Sequence, residues 1–122
     1  DWHVQHLTDP RSVVPESVMP KYGFLLDNDL KSDLTADSLK ANQMVGVPYT
    51  EEMIENATAD LYAQATPDGD WDGVQARYPK AVVGDFDGNP DRVTEMDALI
   101  AYLQMLGTLV DFSTYQADQN YR

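Results

Sequence analysis

Residues 14–22 read Val14-Pro15-Glu16-Ser17-Val18-Met19-Pro20-Lys21-Tyr22, and Met19 carries the sharpest chemistry in the chain. A thioether is a soft, neutral donor that suits low-spin haem iron, and opposite a histidine it raises the reduction potential. Such a donor must stay in place while the metal changes oxidation state. Pro15 and Pro20, one on each side, restrict the backbone that carries it. An isolated Met-Pro is more often an ordinary buried side chain, so the loop alone does not decide between the two readings.

Other groups capable of chemistry are weaker. His3 and His6 lie three apart, on one face if residues 1–7 are helical, a spacing that can hold a metal. No third ligand stands nearby, and such pairs are commonly polar or partner contacts. Arg11 can pair with a carboxylate such as a haem propionate through its forked guanidinium, or brace the proline loop. Asp68-Gly69-Asp70-Trp71-Asp72-Gly73 opens like a calcium loop, but Pro79 stands at position twelve where a bidentate Glu belongs. Asp85-Phe86-Asp87-Gly88-Asn89-Pro90 opens similarly and lacks both the glycine at six and the acid at twelve, where Met96 stands. Both read as solvated turns, although two such loops meeting could share one calcium. No nucleophile–base order, phosphate loop or dinucleotide fingerprint is present, so no active site is expected.

The elements that would position these groups are short helices. Residues 1–7 read as the end of a helix stopped before Pro10. Prolines 10, 15 and 20 predict that residues 11–26 are extended. Residues 34–45 read as a weakly amphipathic helix ended by Gly46. Thr50 caps the next helix, with Glu51 and Glu52 in its first turn and Ile54, Ala57, Leu61 and Ala65 on one apolar face. A short helix ends at Tyr78-Pro79, and Ala81-Val82-Val83 is a brief apolar run. The clearest helix covers residues 96–106: Thr94 caps it, Asp97 stands three residues on, and Met96, Leu99, Ile100, Leu103 and Leu106 form a stripe that Gly107 ends.

The 122 residues allow one domain with a modest core, and the 43% hydrophobic share is that of a globular chain. No apolar run is long enough to cross a bilayer. The opening Asp1-Trp2-His3 has no signal-peptide pattern and suggests a processed product or a fragment. A formal charge of −13, from 21 acidic against 8 basic residues, argues against nucleic acid as a partner and favours a cationic protein. The absence of cysteine excludes disulfides, iron–sulfur clusters and thiol chemistry in this chain.

Taken in order, Trp2-His3-Val4-Gln5-His6-Leu7, Asp9-Pro10-Arg11, the loop from Val13 to Tyr22, Gly46-Val47-Pro48-Tyr49-Thr50 and Glu95-Met96-Asp97-Ala98-Leu99-Ile100-Ala101-Tyr102-Leu103-Gln104-Met105-Leu106-Gly107 resemble the mono-haem (FixO-like) subunit of cbb3-type cytochrome c oxidases. The family usually has Pro-Trp after the tyrosine where this chain has Gly23-Phe24; Phe24 can still supply an aromatic wall. The resemblance implies a mainly α, cytochrome c-like domain, incomplete here, with short helices joined by long Pro-rich loops over residues 1–112 and a polar tail over 113–122. It implies haem c in the intact subunit, with Met19 as its metal ligand and Arg11 and Tyr22 at the cofactor. The attaching Cys-x-x-Cys-His and a membrane anchor would lie upstream of Asp1, so a cysteine-free chain is expected to lack haem. The implied role is electron transfer from cationic c-type cytochrome donors towards the catalytic subunit, on the periplasmic side of the bacterial inner membrane. The implied partners are the other oxidase subunits. The alternative is an acidic, non-enzymatic binding or assembly module, with calcium as one candidate ligand. Without a first helix to pack on, the stripe on residues 96–106 is expected to be uncovered, or covered by another copy of the chain.

Overall fold

The computed structural model describes residues 2–109 and Asp111. Its architecture is mainly α, as expected: among the described residues the only β pairing is an isolated antiparallel bridge between Asp29 and Thr94. In chain order the helices are α1 (Trp2–Thr8), α2 (Pro10–Val13), a 3-10 turn at Gly23–Leu26, α3 (Thr35–Met44), α4 (Glu51–Ala65), α5 (Trp71–Arg77) and α6 (Glu95–Gly107). The tail expected over residues 113–122 lies outside the described residues.

The expectation of an extended run over residues 11–26 is corrected at both ends. Pro10 sits at the first position of α2, where its missing N–H is an orphan anyway and its fixed φ already suits a helix. The 3-10 turn closes through the Asp27 N–H donating to the Phe24 carbonyl. Only residues 14–22, between α2 and that turn, lack helical structure.

The other helix ends follow their local chemistry. Thr50 accepts the Met53 N–H at 3.2 Å and starts α4. Thr94 accepts the Asp97 N–H at 3.3 Å, while Asp97 accepts the Thr94 N–H at 2.8 Å, a reciprocal capping box for α6. Gly46 follows α3 with φ of 99°, a left-handed conformation that glycine adopts without a Cβ penalty. Gly107 belongs to α6 rather than ending it; the terminus is closed by Thr108, whose hydroxyl donates to the Met105 carbonyl.

The main core gathers Leu7 of α1, Phe86, and Met96 and Ile100 of α6, with Ala65 at the end of α4. Met96 and Ile100 are 0% and 1% exposed. The expected uncovered stripe is therefore corrected: α1, with Met19, Tyr22, Leu25 and Leu26, covers its centre within the same chain. That part of the stripe needs no second copy to bury it, although Leu106 at its end remains exposed.

Residues 27–95 run out from this core and return to it, contributing Ala65 and Phe86 on the way. Return is fixed by the Leu30 N–H on the Val93 carbonyl, the Glu95 N–H on the Asn28 carbonyl, and Arg92 against Asp29 at 2.7 Å. The apolar run 81–83 is held against α4 from both sides, the Gln64 amide donating to the Val82 carbonyl and the Gly84 N–H donating to the Gln64 carbonyl.

Candidate functional site

Met19 is half-buried and packs against the main core. Its loop is built from inexpensive local parts. The Ser17 N–H donates to the Val14 carbonyl at 2.9 Å, closing a four-residue turn with Pro15 at its second position, the place where a fixed φ helps most. The Ser17 hydroxyl then accepts the Met19 N–H at 3.2 Å. Pro20 biases Met19 to extended geometry. The loop exits through the Tyr22 N–H on the Leu7 carbonyl at 2.8 Å, which ties it to the last turn of α1.

Arg11, the sequence candidate for a carboxylate partner, reaches back into this loop: its Nε donates to the Ser17 carbonyl at 3.1 Å. Tyr22 is half-buried in the same apolar group, with the exposed Phe24 ring 6.2 Å from its own. Lys21 pairs with Asp9 at 3.1 Å, an exposed contact of small energetic weight. The three residues singled out in the sequence, Met19, Arg11 and Tyr22, thus belong to one loop and its flanks. Ser17 stands outside those three, although a Ser two residues before Met19 is the pattern of a hydroxyl that accepts that residue's N–H.

His3 and His6 are half-buried on α1, and the Trp2 ring lies against both, with centroids 5.2 and 4.6 Å away. No carboxylate joins them in a group able to hold a metal among the described residues. The Thr8 hydroxyl, at the end of α1, is buried without a hydrogen-bond partner.

The two Asp-rich turns serve their own backbones. Asp70 caps α5 by accepting the Gly73 N–H at 3.0 Å. In the second turn, Asp85 accepts from Gly88, Asp87 from Asn89 and from the Thr94 hydroxyl, and Asp97 from the Asp87 N–H. The carboxylates of Asp85, Asp87 and Asp97 come within 4.8 Å of one another; the first turn contributes none of them. Burial pushes the Asp97 carboxyl above the usual aspartate value and the nearby Asp87 charge adds to this, against the hydrogen bonds that favour its ionised form.

Away from Met19, a cavity of about 710 Å³ separates α4 and α5 from α6. Met53, Ala57, Leu61 and Val74 line one side, and Ala101 and Met105 line the other. Ala101 also packs against the main core, and Ala65 and Phe86 of that core border the same cavity. Asp60, 5% exposed, lies in the same wall with its carboxylate doubly bonded by Arg77, whose Nε donates at 2.7 Å. That hydrogen bond comes first in holding the Arg77 guanidinium above its ordinary range. Nothing in the sequence pattern joined these two residues, which stand 17 apart on different helices.

A family model described as "Cytochrome C oxidase, mono-heme subunit/FixO" matches residues 1–110. No curated protein matches the chain.

Proposed function

The chain belongs to the FixO family of mono-haem cytochrome c oxidase subunits, and on that premise we propose that it is the Met19-bearing part of the electron-transfer subunit of a cbb3-type terminal oxidase. The observation that carries this reading is the half-buried thioether on a loop fixed by the chain's own contacts, within a match that spans nearly the whole sequence.

The family's haem c is fitted by this chain on one side only. With no cysteine the chain cannot form the thioether bonds that attach such a haem. What the residues do offer is an axial donor: Met19, neutral and soft, half-buried, and followed by a proline. The bound group would supply one-electron chemistry. Met19 would favour its reduced form, because a neutral sulfur adds no charge to compensate the oxidised iron. Tyr22 and the Leu25–Leu26 pair would keep water away from that sulfur. The Cys-x-x-Cys-His segment and a membrane helix would stand upstream of Asp1, placing the domain on the periplasmic side of the inner membrane.

The charge of −13 supports a cationic c-type cytochrome as the electron donor, since opposite fields raise encounter rates. Among the described residues no helix is long and apolar enough to cross a membrane. The other oxidase subunits complete the assembly, and oxygen reduction belongs to one of them.

The test is the subunit carrying the Cys-x-x-Cys-His segment, mixed with a reduced cationic cytochrome c in a stopped-flow instrument. The expected result is a bound haem whose reduction slows steeply as salt is raised. A subunit that carries no porphyrin, or one whose reduction rate ignores ionic strength, contradicts the proposal.

A further inference from the structure

We infer that Ser17 and Arg11 are positioning residues that preset the Met19 sulfur before any metal is bound. This rests on Met19 being the axial donor, and the experiments below separate the two claims.

Ser17 is held at both of its polar ends. Its hydroxyl accepts the Met19 N–H at 3.2 Å, and its carbonyl accepts the Arg11 Nε at 3.1 Å. Its own N–H is spent on the Val14 carbonyl, so the residue has no free backbone group with which to rotate away. Arg11 stands on α2, which starts at the buried Pro10 and is joined to α1 through the Asp9 N–H on the Gln5 carbonyl. The path from helix to donor is therefore short: α2, Arg11, Ser17, Met19. Beyond Met19, Pro20 limits the backbone and the Tyr22 N–H anchors the exit on Leu7. Every one of these hydrogen bonds lies between residues 5 and 22, none passes through a ligand, and the Met19 side chain itself rests on the main core.

A loop set in this way would not have to reorganise when the metal gains or loses an electron. Arg11 makes its contact through Nε alone, so the role assigned here does not require a carboxylate partner. Exposed arginines hold backbone carbonyls in many proteins without consequence. The distinguishing feature is that the carbonyl held is that of the residue whose hydroxyl fixes the donor's own N–H.

The first experiment needs no iron. In the 122-residue chain, amide hydrogen exchange at Met19 and the order parameter of its methyl group are measured for Ser17→Ala, Ser17→Thr, Arg11→Ala and Arg11→Lys. Ser17→Ala is expected to speed exchange at Met19 about fivefold to tenfold, the factor that one lost hydrogen bond gives. Ser17→Thr, which keeps the hydroxyl, restores protection, and Arg11→Lys restores part of what Arg11→Ala loses. Unchanged exchange and methyl order in Ser17→Ala overturn the inference. The second experiment uses the haem-bearing subunit, where the same variants are compared by reduction potential. A potential that moves in Ser17→Ala and returns in Ser17→Thr supports the inference; one that moves in neither overturns it. If Met19→Ala leaves the haem spectrum unchanged, the ligand assignment fails, and the exchange data still report on the brace.

Discussion

Around Met19 the chain is held by packing on the main core, backbone hydrogen bonds and two short side-chain contacts from Arg11 and Ser17, whereas α4 and α5 bury the smaller Ala57 and Val74 and lean on polar side-chain joints. Four of the five buried residues of the main core come from α1, α6 and the segment just before α6; α4 contributes only Ala65. On the other side of the cavity stand the Asp60–Arg77 pair, the Asp70 cap, the Ser32–Tyr62 hydroxyl contact at 3.0 Å and the Trp71 indole on the Thr66 carbonyl at 2.9 Å. Apolar packing spreads its energy over many contacts, while a polar joint concentrates it in one geometry. The half that carries Met19 is thus expected to follow global stability, and the other half is expected to open first.

Cutting the main core gives the largest expected effect. Ile100→Ala, at a position 1% exposed, is expected to cost about 2–4 kcal/mol, read by denaturant titration, and to lower amide protection throughout the chain. Loss confined to α6 breaks the contrast between the halves. Next comes Arg77→Leu, which strands the buried Asp60 carboxylate. The melting temperature should fall by several degrees, with faster exchange concentrated in α4 and α5 and little change at Leu7 or Met19. A uniform loss would make the two halves one cooperative unit. Gly69→Ala comes third: a Cβ there would clash with the Ala63 carbonyl oxygen, so the turn between α4 and α5 must shift, at a cost of about 1–3 kcal/mol. Its effect should stay on the same side as that of Arg77→Leu.

The smallest effect is one of pH. The native Asp97 carboxyl binds its proton more tightly than an ordinary aspartate. Its contribution to stability is fully present below the unfolded value of about 3.8 and is lost as pH rises through the raised native value. Asp97→Asn removes that dependence. The stability of the natural chain minus that of the variant should therefore decline as pH rises from about 4 towards 7. A difference that grows over this range gives Asp97 the opposite sign.

Much of this architecture is legible in the residues. Thr50 and Thr94 announce their helices because a cap is a local event, with donor and acceptor three residues apart. The periodic stripe of α6 identifies the face that meets Leu7. The regular prolines misled at α2, because one residue type disrupts a helix interior and starts a helix at its first position. The Asp-rich turns look alike whether their carboxylates hold a cation or their own backbone. Asp60 and Arg77 were silent, since nothing in a helix pattern says which distant cation will meet a buried acid. A missing partner helix suggests an uncovered α6, and α1 with the Met19 loop supplies the cover.

The central claim is that the sulfur of Met19 is an axial donor to the haem iron of the intact subunit. It is tested most directly by the sulfur-to-iron charge-transfer band and the reduction potential of the haem-bearing subunit, with and without Met19→Ala. The account predicts that the band disappears and the potential falls by about 0.2 V, a fraction of the ~0.8 V span that axial ligands control. An unchanged band with an unchanged potential contradicts it.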